Sequence, residues 1–346
     1  MKSENFFAWN LDLASFDALP PEERTAFLVR FAVLAPSGHN SQPWKFIADG
    51  DALTVAPDMS RALPRSDADH RQLYLSVGCA IENLCTAAEY YGYRTEISRA
   101  DVDGAAAWHI RFSGEPSPSS ARDAAHRALA IPRRRTNRNP YDAKPPERPF
   151  LDWMAGLSGA GLGIRSIDQE PLKTKVAAVV SDALVEAMDD VGFRTELSGY
   201  IRPNITRAAT GMPMYGFGMP TPLSFIAPFL LKKVNVNRAS RKKDEELLTK
   251  HTPMFVVIET DADDHDAWMT AGRTYERIAL EAERRGIATA PMAAAIQTGQ
   301  HFRRLQDLCK TGRRPQVFFR IGYAASAPRH SPRIPAANVT ALKPRR

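Results

Sequence analysis

The segment Ala35-Pro36-Ser37-Gly38-His39-Asn40-Ser41-Gln42-Pro43-Trp44-Lys45-Phe46 decides how the rest of the chain is interpreted. An apolar helical run over residues 26–34 leads into it and ends there, because two prolines and Gly38 break the helical pattern. Its serine, asparagine and glutamine side chains present uncharged donors and acceptors on a restricted backbone, which suits a flat ligand with heteroatoms along its edge. A helix-to-strand connector whose polar side chains bind their own backbone is the alternative.

This segment, here called the ring loop (residues 35–46), resembles the loop that lines the flavin ring in the FMN-dependent nitroreductase superfamily. In those homodimers the loop belongs to the neighbouring subunit. The resemblance implies that Pro36, Ser37, Asn40 and Gln42 contact the ring of an FMN cofactor. The other half of the flavin site must then lie elsewhere in the chain.

Length and composition fit a large soluble protein, with 346 residues of which 44% are hydrophobic and 25% are charged. Residues 1–17 lack the sustained apolar core of a signal peptide. The longest apolar candidate, residues 223–231, contains Pro228 and is far shorter than the roughly 20 residues that a bilayer needs. We therefore predict a cytoplasmic protein with no membrane partner.

The three cysteines, Cys79, Cys85 and Cys309, lie in predicted helices without paired CxxC spacing. An odd number in this arrangement argues against a disulfide framework and against a zinc site. We interpret them as small core residues in a reducing compartment, and no metal is predicted.

Helical periodicity and turn residues predict a helix over residues 21–34, a hairpin over 44–56, a helix over 71–91 and a strand over 108–112. A second helix has glycine and glutamate at matching places, because Gly272, Glu276 and Gly286 each follow Gly78, Glu82 and Gly92 by 194 residues. A strand that ends in glycine follows each helix. The sequence therefore predicts a duplicated α+β unit, with a boundary near residue 125 that separates units 1–125 and 126–346.

The same offset carries Pro36 to residue 230, where no ring loop is found. The second unit opens instead with the clasp (residues 133–141), Arg133-Arg134-Arg135-Thr136-Asn137-Arg138-Asn139-Pro140-Tyr141. Guanidinium groups have the fork geometry that matches phosphate oxygens, so the clasp suits an anion. A solvated basic turn and a nucleic-acid backbone contact are the alternatives.

The clasp resembles the Arg-Arg-Ser-x-Arg segment that binds the FMN phosphate in nitroreductases. The resemblance implies that Arg134, Arg135, Thr136 and Arg138 hold the phosphate. Residues 7–13, the corresponding place in the first unit, contain no arginine. One chain would then imitate the homodimer as a pseudo-dimer with a single complete site.

Two further segments resemble parts of the same site. Residues 286–294 resemble the strand-loop near flavin N5 and O4, which implies contacts from Pro291, Met292, Ala293 and Ala294; the family usually has glycine where Ala294 stands. The C-terminal Arg329 and Arg333 resemble the basic residues that also meet the phosphate, and Arg333 matches better. His39 and Tyr141 could lie nearby, although a lone histidine is more often structural.

The lid segment (residues 200–237) matches nothing in small nitroreductases and looks too irregular for helix or strand. It is interpreted either as a lid over the flavin or as a subunit contact. Together with the fused units, it makes the chain similar to the Acg-type branch of nitroreductase-like flavoproteins. The fold expected is therefore α+β, nitroreductase-like and duplicated.

The resemblance implies an FMN-dependent NAD(P)H oxidoreductase that reduces a nitro compound, quinone or similar small acceptor by a ping-pong mechanism. No catalytic side chain is predicted, because the cofactor carries the chemistry. A flavin-holding protein with little turnover is the alternative. Despite the net charge of +7, we predict no nucleic-acid partner, since the arginines cluster at flavin-type positions and residues 238–243 are interpreted as a solvated basic face. The chain is expected to be a monomer or a homodimer.

Overall fold

The chain folds into two mixed units, each with its own sheet, and the α+β prediction is confirmed. The computed structural model describes residues 4–16, 18–114 and 126–343. The predicted boundary near residue 125, and most of the proline- and serine-rich segment 114–120, lie outside the described residues.

The principal elements fall into strands and helices that are numbered separately along the chain. The strands are β1 (Trp44–Asp49), β2 (Ala52–Pro57), β3 (Arg94–Val102), β4 (Ala105–Ser113), β5 (Leu162–Ile167), β6 (Ile201–Arg202), β7 (Met212–Pro213), β8 (Met254–Thr260), β9 (Ala288–Pro291), β10 (Arg314–Gly322) and β11 (Thr340–Leu342). The helices are α1 (Pro21–Ala32), α2 (Arg71–Tyr90), α3 (Arg148–Ala155), α4 (Leu172–Asp189), α5 (Val191–Tyr200), α6 (Thr221–Ser224), α7 (Ala227–Lys233), α8 (Val236–Lys250), α9 (His265–Arg284), α10 (Ala294–Gln297) and α11 (His301–Cys309).

The two sheets have the same strand order. The first runs β11-β1-β2-β4-β3 and the second runs β5-β8-β10-β9, so that β1, β2, β4 and β3 correspond in turn to β5, β8, β10 and β9. A helix precedes the first strand of each unit, and a long helix, α2 or α9, follows the second. The C-terminal β11 adds to the first sheet by pairing in parallel with β1.

The long helices α2 and α9 pack against each other at the centre of the molecule. A Cβ added to Gly78 would lie 2.1 Å from the Met269 carbonyl oxygen, and one added to Gly272 would lie 2.1 Å from that of Leu75. Gly272 follows Gly78 by 194 residues, and Met269 follows Leu75 by the same number. The crossing is therefore the same contact made twice about a pseudo-two-fold axis. Glycine is needed at both positions because the backbones touch.

Two insertions distinguish the second unit. Residues 168–253 separate β5 from β8, where the first unit has a tight turn at Gly50, and residues 292–313 separate β9 from β10. The offset of 194 therefore fails before β8. Its use to place the counterpart of Pro36 at residue 230 was wrong, because the loop that precedes β5 is residues 156–161.

Two other sequence predictions need correction. The lid segment is not irregular throughout, since it contains the short helices α6 and α7. The strand predicted over residues 108–112 is the centre of β4, which pairs with a strand, β3, that the sequence did not indicate. No helix in the described part of the chain is long and apolar enough to cross a membrane.

Candidate cofactor site between the two units

A cavity of about 940 Å³ lies between the units beside the α2–α9 crossing. Its wall combines the ring loop, the clasp, the turn after β9, the C-terminal segment and the lid segment. Most of the residues predicted to bind FMN line it: Pro36, Ser37, Asn40, Arg134, Arg135, Thr136, Arg138, Pro291, Ala293, Ala294, Arg329 and Arg333. Gln42 and Met292 are not among the lining residues.

The ring loop is held in an uncommon backbone conformation. His39, Asn40 and Gln42 have φ values of 52°, 55° and 56°, in the left-handed region that non-glycine residues seldom adopt. Such a conformation persists only where its surroundings determine it, and here buried amide side chains do so. The loop is therefore built into the fold and is not a free connector.

The Asn40 side chain is fully occupied by protein partners. Its Nδ2 donates to the carbonyl oxygens of Gly211 at 2.9 Å and Pro332 at 3.0 Å, and its Oδ1 accepts from Arg333 Nη1 at 2.7 Å. The amide thus joins the ring loop to the lid segment and to the C-terminal segment. In this arrangement Asn40 contributes to the cavity wall as a fixed scaffold.

Gln42 has a similar linking role outside the cavity. Its Nε2 donates to the Ala209 carbonyl oxygen at 2.7 Å, and its Oε1 accepts from the Ile334 amide at 2.8 Å. The lid segment and the C-terminal segment are therefore each hydrogen-bonded to the ring loop through both Asn40 and Gln42. Met292, the other predicted residue that does not line the cavity, packs against the apolar core beside α4.

The clasp lies along the free edge of the second sheet, where Thr136 bridges in parallel to Thr289 of β9. This bridge directs Arg134 into the interior. Its Nε lies 2.9 Å from Oε1 of the buried Glu276, and its Nη2 donates to the Leu34 carbonyl oxygen at 3.1 Å. Tyr141, which does not line the cavity, supports the clasp by donating its hydroxyl to the Asn137 carbonyl oxygen at 2.6 Å.

Arg333 is buried beside the clasp and caps the end of the segment that follows α1. Its Nη2 donates to the carbonyl oxygens of Leu34 and Ala35, both at 3.2 Å. Burial, with a smaller contribution from the nearby Arg134, lowers the pKa of Arg333 to about 9. A second buried cation next to Arg134 is costly unless a negative charge joins them.

Three more guanidinium groups reach the same end of the cavity. Arg135 donates from Nη1 to the Pro328 carbonyl oxygen at 2.9 Å, whereas Arg138 and Arg329 stack on the rings of Phe217 and Tyr215 at 4.6 Å and 4.5 Å. In the part of the chain that the structure describes, none of these three has a carboxylate within ion-pair distance. The cavity therefore has a strongly positive end.

Several buried nitrogen atoms at this end have no hydrogen-bond partner among the described residues. They are Nη1 of Arg134, Nε of Arg333 and Nε2 of His330. Burial and the neighbouring arginines lower the pKa of His330 to about 3, so the imidazole is neutral. Buried donors are nearly always satisfied in proteins, so the two guanidinium nitrogens indicate a group that accepts hydrogen bonds at this place.

Glu276 is the one carboxylate paired with these arginines in the described structure. Burial raises its pKa to about 7, and Arg134 opposes that shift. Because Glu276 titrates near neutrality, it does not cancel the positive charge at this end as a fully ionised carboxylate would. The site keeps its preference for an anion.

The opposite end of the cavity is apolar and lies under the lid segment. It is lined by Leu184, Met188, Phe193, Leu197, Met212, Met214, Leu230 and Leu231. One cavity thus joins a positive end to an apolar end, which is the polarity of a phosphorylated ligand with a flat ring system.

A clamp that the sequence did not indicate fixes α5 over this end. Glu196 accepts from the backbone amides of Arg65 and Ser66, both at 2.9 Å, and from the Ser66 hydroxyl. His39, which was predicted to lie near the site, lines the cavity with Nε2 3.1 Å from Ser66 Oγ. No motif links residues 130 positions apart, so sequence patterns could not identify the clamp.

Comparison with known proteins places this site in context. No protein-family model matches the chain. A Mycobacterium tuberculosis H37Rv protein named "Putative NAD(P)H nitroreductase Rv3131" is 26% identical over 309 residues, which cover 88% of this chain and 86% of that protein. The one named "Putative NAD(P)H nitroreductase acg" is 22% identical over 319 residues, covering 89% and 91%. The predicted resemblance to the Acg-type branch of the nitroreductase superfamily is confirmed. Each of these Acg-type alignments is long enough to include both sheet units.

The solved structures that resemble the chain match a smaller part of it. That of the FMN-dependent nitroreductase NfnB from Mycobacterium smegmatis in complex with NADPH has a TM-score of 0.42 and 13% identity, covering 64% of this chain and 99% of its own. A nitroreductase with bound FMN from Bacteroides fragilis has a TM-score of 0.38 and 14% identity, covering 63% and 98%.

Proposed function

We propose that this protein is an FMN-dependent NAD(P)H oxidoreductase of the nitroreductase type, with one flavin site per chain. The observation that carries the proposal is the pair of buried, unpartnered guanidinium donors on Arg134 and Arg333 at the positive end of the cavity. A phosphate group supplies several strong acceptor oxygens and a negative charge, and so satisfies both needs. The names of the Acg-type relatives support the same assignment.

The residues present fit FMN in chemistry as well as in charge. Arg134, Arg135, Thr136, Arg138 and Arg333 would hold the phosphate. The ring would lie toward the ring loop and the turn at residues 291–294, where the cavity wall is mostly uncharged. Arg329, which is exposed and stacks on Tyr215, would close the phosphate end. The units 1–125 and 126–346 would then act as the two halves of a pseudo-dimer.

When bound, FMN would supply the hydride chemistry, by which NAD(P)H reduces a nitro compound, quinone or similar acceptor in two half-reactions. The protein's own part is to bind, orient and exclude water. The apolar lid wall keeps solvent from the ring end, and fixed guanidinium groups hold the phosphate without reorganisation. No side chain need exchange a proton with the acceptor.

A flavin-holding role with little turnover is the second candidate, and the bonds of the lid segment favour it. Gly211 is joined to Asn40 in both directions, since its amide donates to the Asn40 carbonyl oxygen at 3.2 Å and its own carbonyl accepts from Nδ2. Tyr215 donates its hydroxyl to the His330 carbonyl oxygen. A lid segment held by these bonds would limit access of NAD(P)H to the ring, as would the methyl group of Ala294.

Anaerobic absorbance of the purified protein distinguishes the candidates. We expect a yellow protein whose flavin band is bleached by NADPH and restored by a quinone. A yellow protein that stays oxidised would overturn the oxidoreductase proposal in favour of flavin holding. A colourless protein that cannot take up added FMN would contradict both.

The assignment of the phosphate end is tested by a pair of variants within the clasp. Arg138→Ala removes a lining cation that has no ion pair in the described structure, whereas Arg133→Ala removes an exposed one that pairs loosely with Glu283 outside the cavity. We expect Arg138→Ala to weaken FMN binding at least tenfold and Arg133→Ala to leave it unchanged, measured by fluorescence titration of the apoprotein. Equal effects would contradict the assignment. The double variant Arg134→Ala/Arg138→Ala should purify without flavin.

A further inference from the structure

The positive charge of the chain is concentrated in one segment. Residues 197–243 contain no aspartate or glutamate and eight basic residues, a formal charge of +8 against +7 for the whole chain. The basic residues are Arg202, Arg207, Lys232, Lys233, Arg238, Arg241, Lys242 and Lys243. Outside this acid-free segment (residues 197–243), the two signs of charge nearly cancel.

The same segment exposes a group of large apolar side chains. Within residues 223–234, Phe225 and Phe229 are 57% and 65% exposed, and Leu223, Ile226 and Val234 are also exposed. They lie in α6, in α7, in the turn between these helices and, for Val234, directly after α7, so they are close together along the chain. A patch of this kind on a soluble domain usually marks an interaction site.

The cations next to this patch are free to meet an external partner. Lys232 and Lys233 are the last two residues of α7, and Lys242 and Lys243 lie on α8; all four are exposed and none has a carboxylate within ion-pair distance in the described residues. Exposed aromatic and aliphatic groups bordered by lysine are the composition of helices that lie in a membrane interface. The apolar groups enter the acyl boundary while the ammonium groups stay at the headgroups.

We propose that the acid-free segment docks on the surface of an anionic lipid membrane. A second copy of the chain is a poorer partner, because a two-fold contact through this surface would bring the four unpaired lysines of each copy together. A nucleic acid is also poorer, since its phosphates gain nothing from exposed leucine, isoleucine and phenylalanine. An anionic bilayer is complementary to both the apolar groups and the charge.

The exposed patch lies on the outer side of the helix that lines the apolar end of the cavity. Helix α7 separates the surface from the cavity, because Ala227, Leu230 and Leu231 line the apolar end while Phe229 faces solvent. Docking would therefore bring the apolar end of the cavity next to the lipid. The inference does not require the proposed cofactor, since membrane binding can be measured on the protein itself.

The test is co-sedimentation of the full chain with vesicles of phosphatidylcholine alone and of about three parts phosphatidylcholine to one part phosphatidylglycerol. We expect binding to the anionic vesicles only, reversed by salt. Lys232→Ser/Lys233→Ser should lower the partition coefficient about thirty-fold, since each cation near an anionic surface contributes roughly a factor of five. Phe225→Ser/Phe229→Ser should lower it by a similar factor.

Matched controls remove the same chemistry elsewhere. Lys144→Ser/Lys175→Ser changes two exposed lysines, and Met59→Ser/Leu342→Ser two exposed apolar residues, outside the patch. We expect both control variants to bind like the unaltered protein. Binding that ignores phosphatidylglycerol, or patch variants that bind like the controls, would overturn the inference. The inference would also be overturned if the protein did not bind vesicles but formed a dimer in sedimentation velocity, and if Phe225→Ser/Phe229→Ser dissociated that dimer.

Discussion

The two sides of the α2–α9 crossing have the same backbone arrangement, but one borders the cavity and the other is filled by side chains. The filled side is here called the closed side. On the cavity side, α2 contributes Cys79, which lines the cavity, and the buried Asn83. On the other side, α9 has Arg273 and Arg277 at the equivalent positions, each 194 residues later, and both reach the buried Glu82, at 3.1 Å and 2.5 Å. Small side chains leave room for a ligand, whereas a guanidinium pair fills the groove with the protein's own ion pairs.

The glutamates at the centre of this comparison also differ. Burial raises the pKa of Glu82, but Arg273 and Arg277 outweigh burial and hold it below its usual value. Its counterpart Glu276 has one close arginine, and burial raises its pKa to about 7. On the closed side the buried carboxylate is therefore paired with guanidinium groups, whereas on the cavity side the guanidinium groups lack a fully ionised partner.

A fourth pair of equivalent residues shows how the side away from the cavity is covered. Gln72 lines the cavity, whereas its counterpart Asp266 accepts hydrogen bonds from Arg99 Nη1 at 2.6 Å and Trp108 Nε1 at 3.0 Å. Both donors belong to the continuous β3–β4 hairpin. In the second unit the corresponding strands are separated by residues 292–313, which contribute to the cavity wall. The continuous hairpin thus covers Asp266, whereas the interrupted one leaves Gln72 at the cavity.

The largest effect is expected from giving the closed side the residues of the open side. Arg273→Cys/Arg277→Asn leaves Glu82 buried without a partner, so the free energy of unfolding should fall by about 3–5 kcal/mol. Chemical denaturation measures the loss. Adding Glu82→Gln should restore most of it, and a triple variant no more stable than the double would contradict the electrostatic explanation. Flavin content should stay at one per chain, because residues 7–13 provide no arginine.

The next effect tests whether the crossing is symmetrical. Gly78→Ala and Gly272→Ala each force a Cβ onto a backbone carbonyl 2.1 Å away, so each should lower the free energy of unfolding by about 3 kcal/mol. Gly199→Ala in α5, where no atom lies within 4 Å of the added Cβ, is the control and should be neutral or slightly stabilising. A large difference between the first two variants would show that the pseudo-two-fold does not govern the packing.

Much of the fold follows from local signals that survive in a single sequence. The apolar periodicity of α2 and α9 predicts both helices, and their glycines predict the duplication, because the crossing needs glycine twice. β3 gives no such signal, since none of the residues Arg94–Val102 is buried and its charged residues fall on both faces. The counterpart of the ring loop was misplaced because an insertion changes the spacing before β8.

The site was predictable only where a motif carries it. The ring loop and the clasp are continuous stretches, and the structure brings them into one cavity. The roles of Asn40 and Gln42 as links to the lid segment depend on contacts across more than 160 residues, which no local pattern encodes. The pairing of Glu276 with Arg134 is equally non-local, although the sequence matched Glu276 to Glu82.

A smaller effect concerns a group found only on the cavity side. Burial lowers the pKa of His39 to about 4, while Glu196 raises it and Arg138 lowers it. The unfolded chain therefore binds a proton more tightly than the folded one, and stability is lost as the pH falls from 6.5 toward 4. Between pH 7 and pH 5 we expect a loss of about 2 kcal/mol that His39→Asn lacks. Parallel pH profiles for the two proteins, by thermal or chemical denaturation, would contradict this.

The smallest effect should be confined to the clamp over the apolar end. Glu196→Gln keeps the shape of the side chain but replaces one carboxylate oxygen, which accepts a backbone hydrogen bond, with a donor. We expect a local loss of about 1 kcal/mol, seen as faster amide exchange in α5 with no change in β8. Release of bound flavin should then accelerate about fivefold, because α5 forms part of the wall that retains it. Exchange that rises equally in α5 and β8 would mean a global loss of stability, and unchanged exchange in α5 would mean that Glu196 does not hold it. A local effect would show that α5 opens without the second sheet.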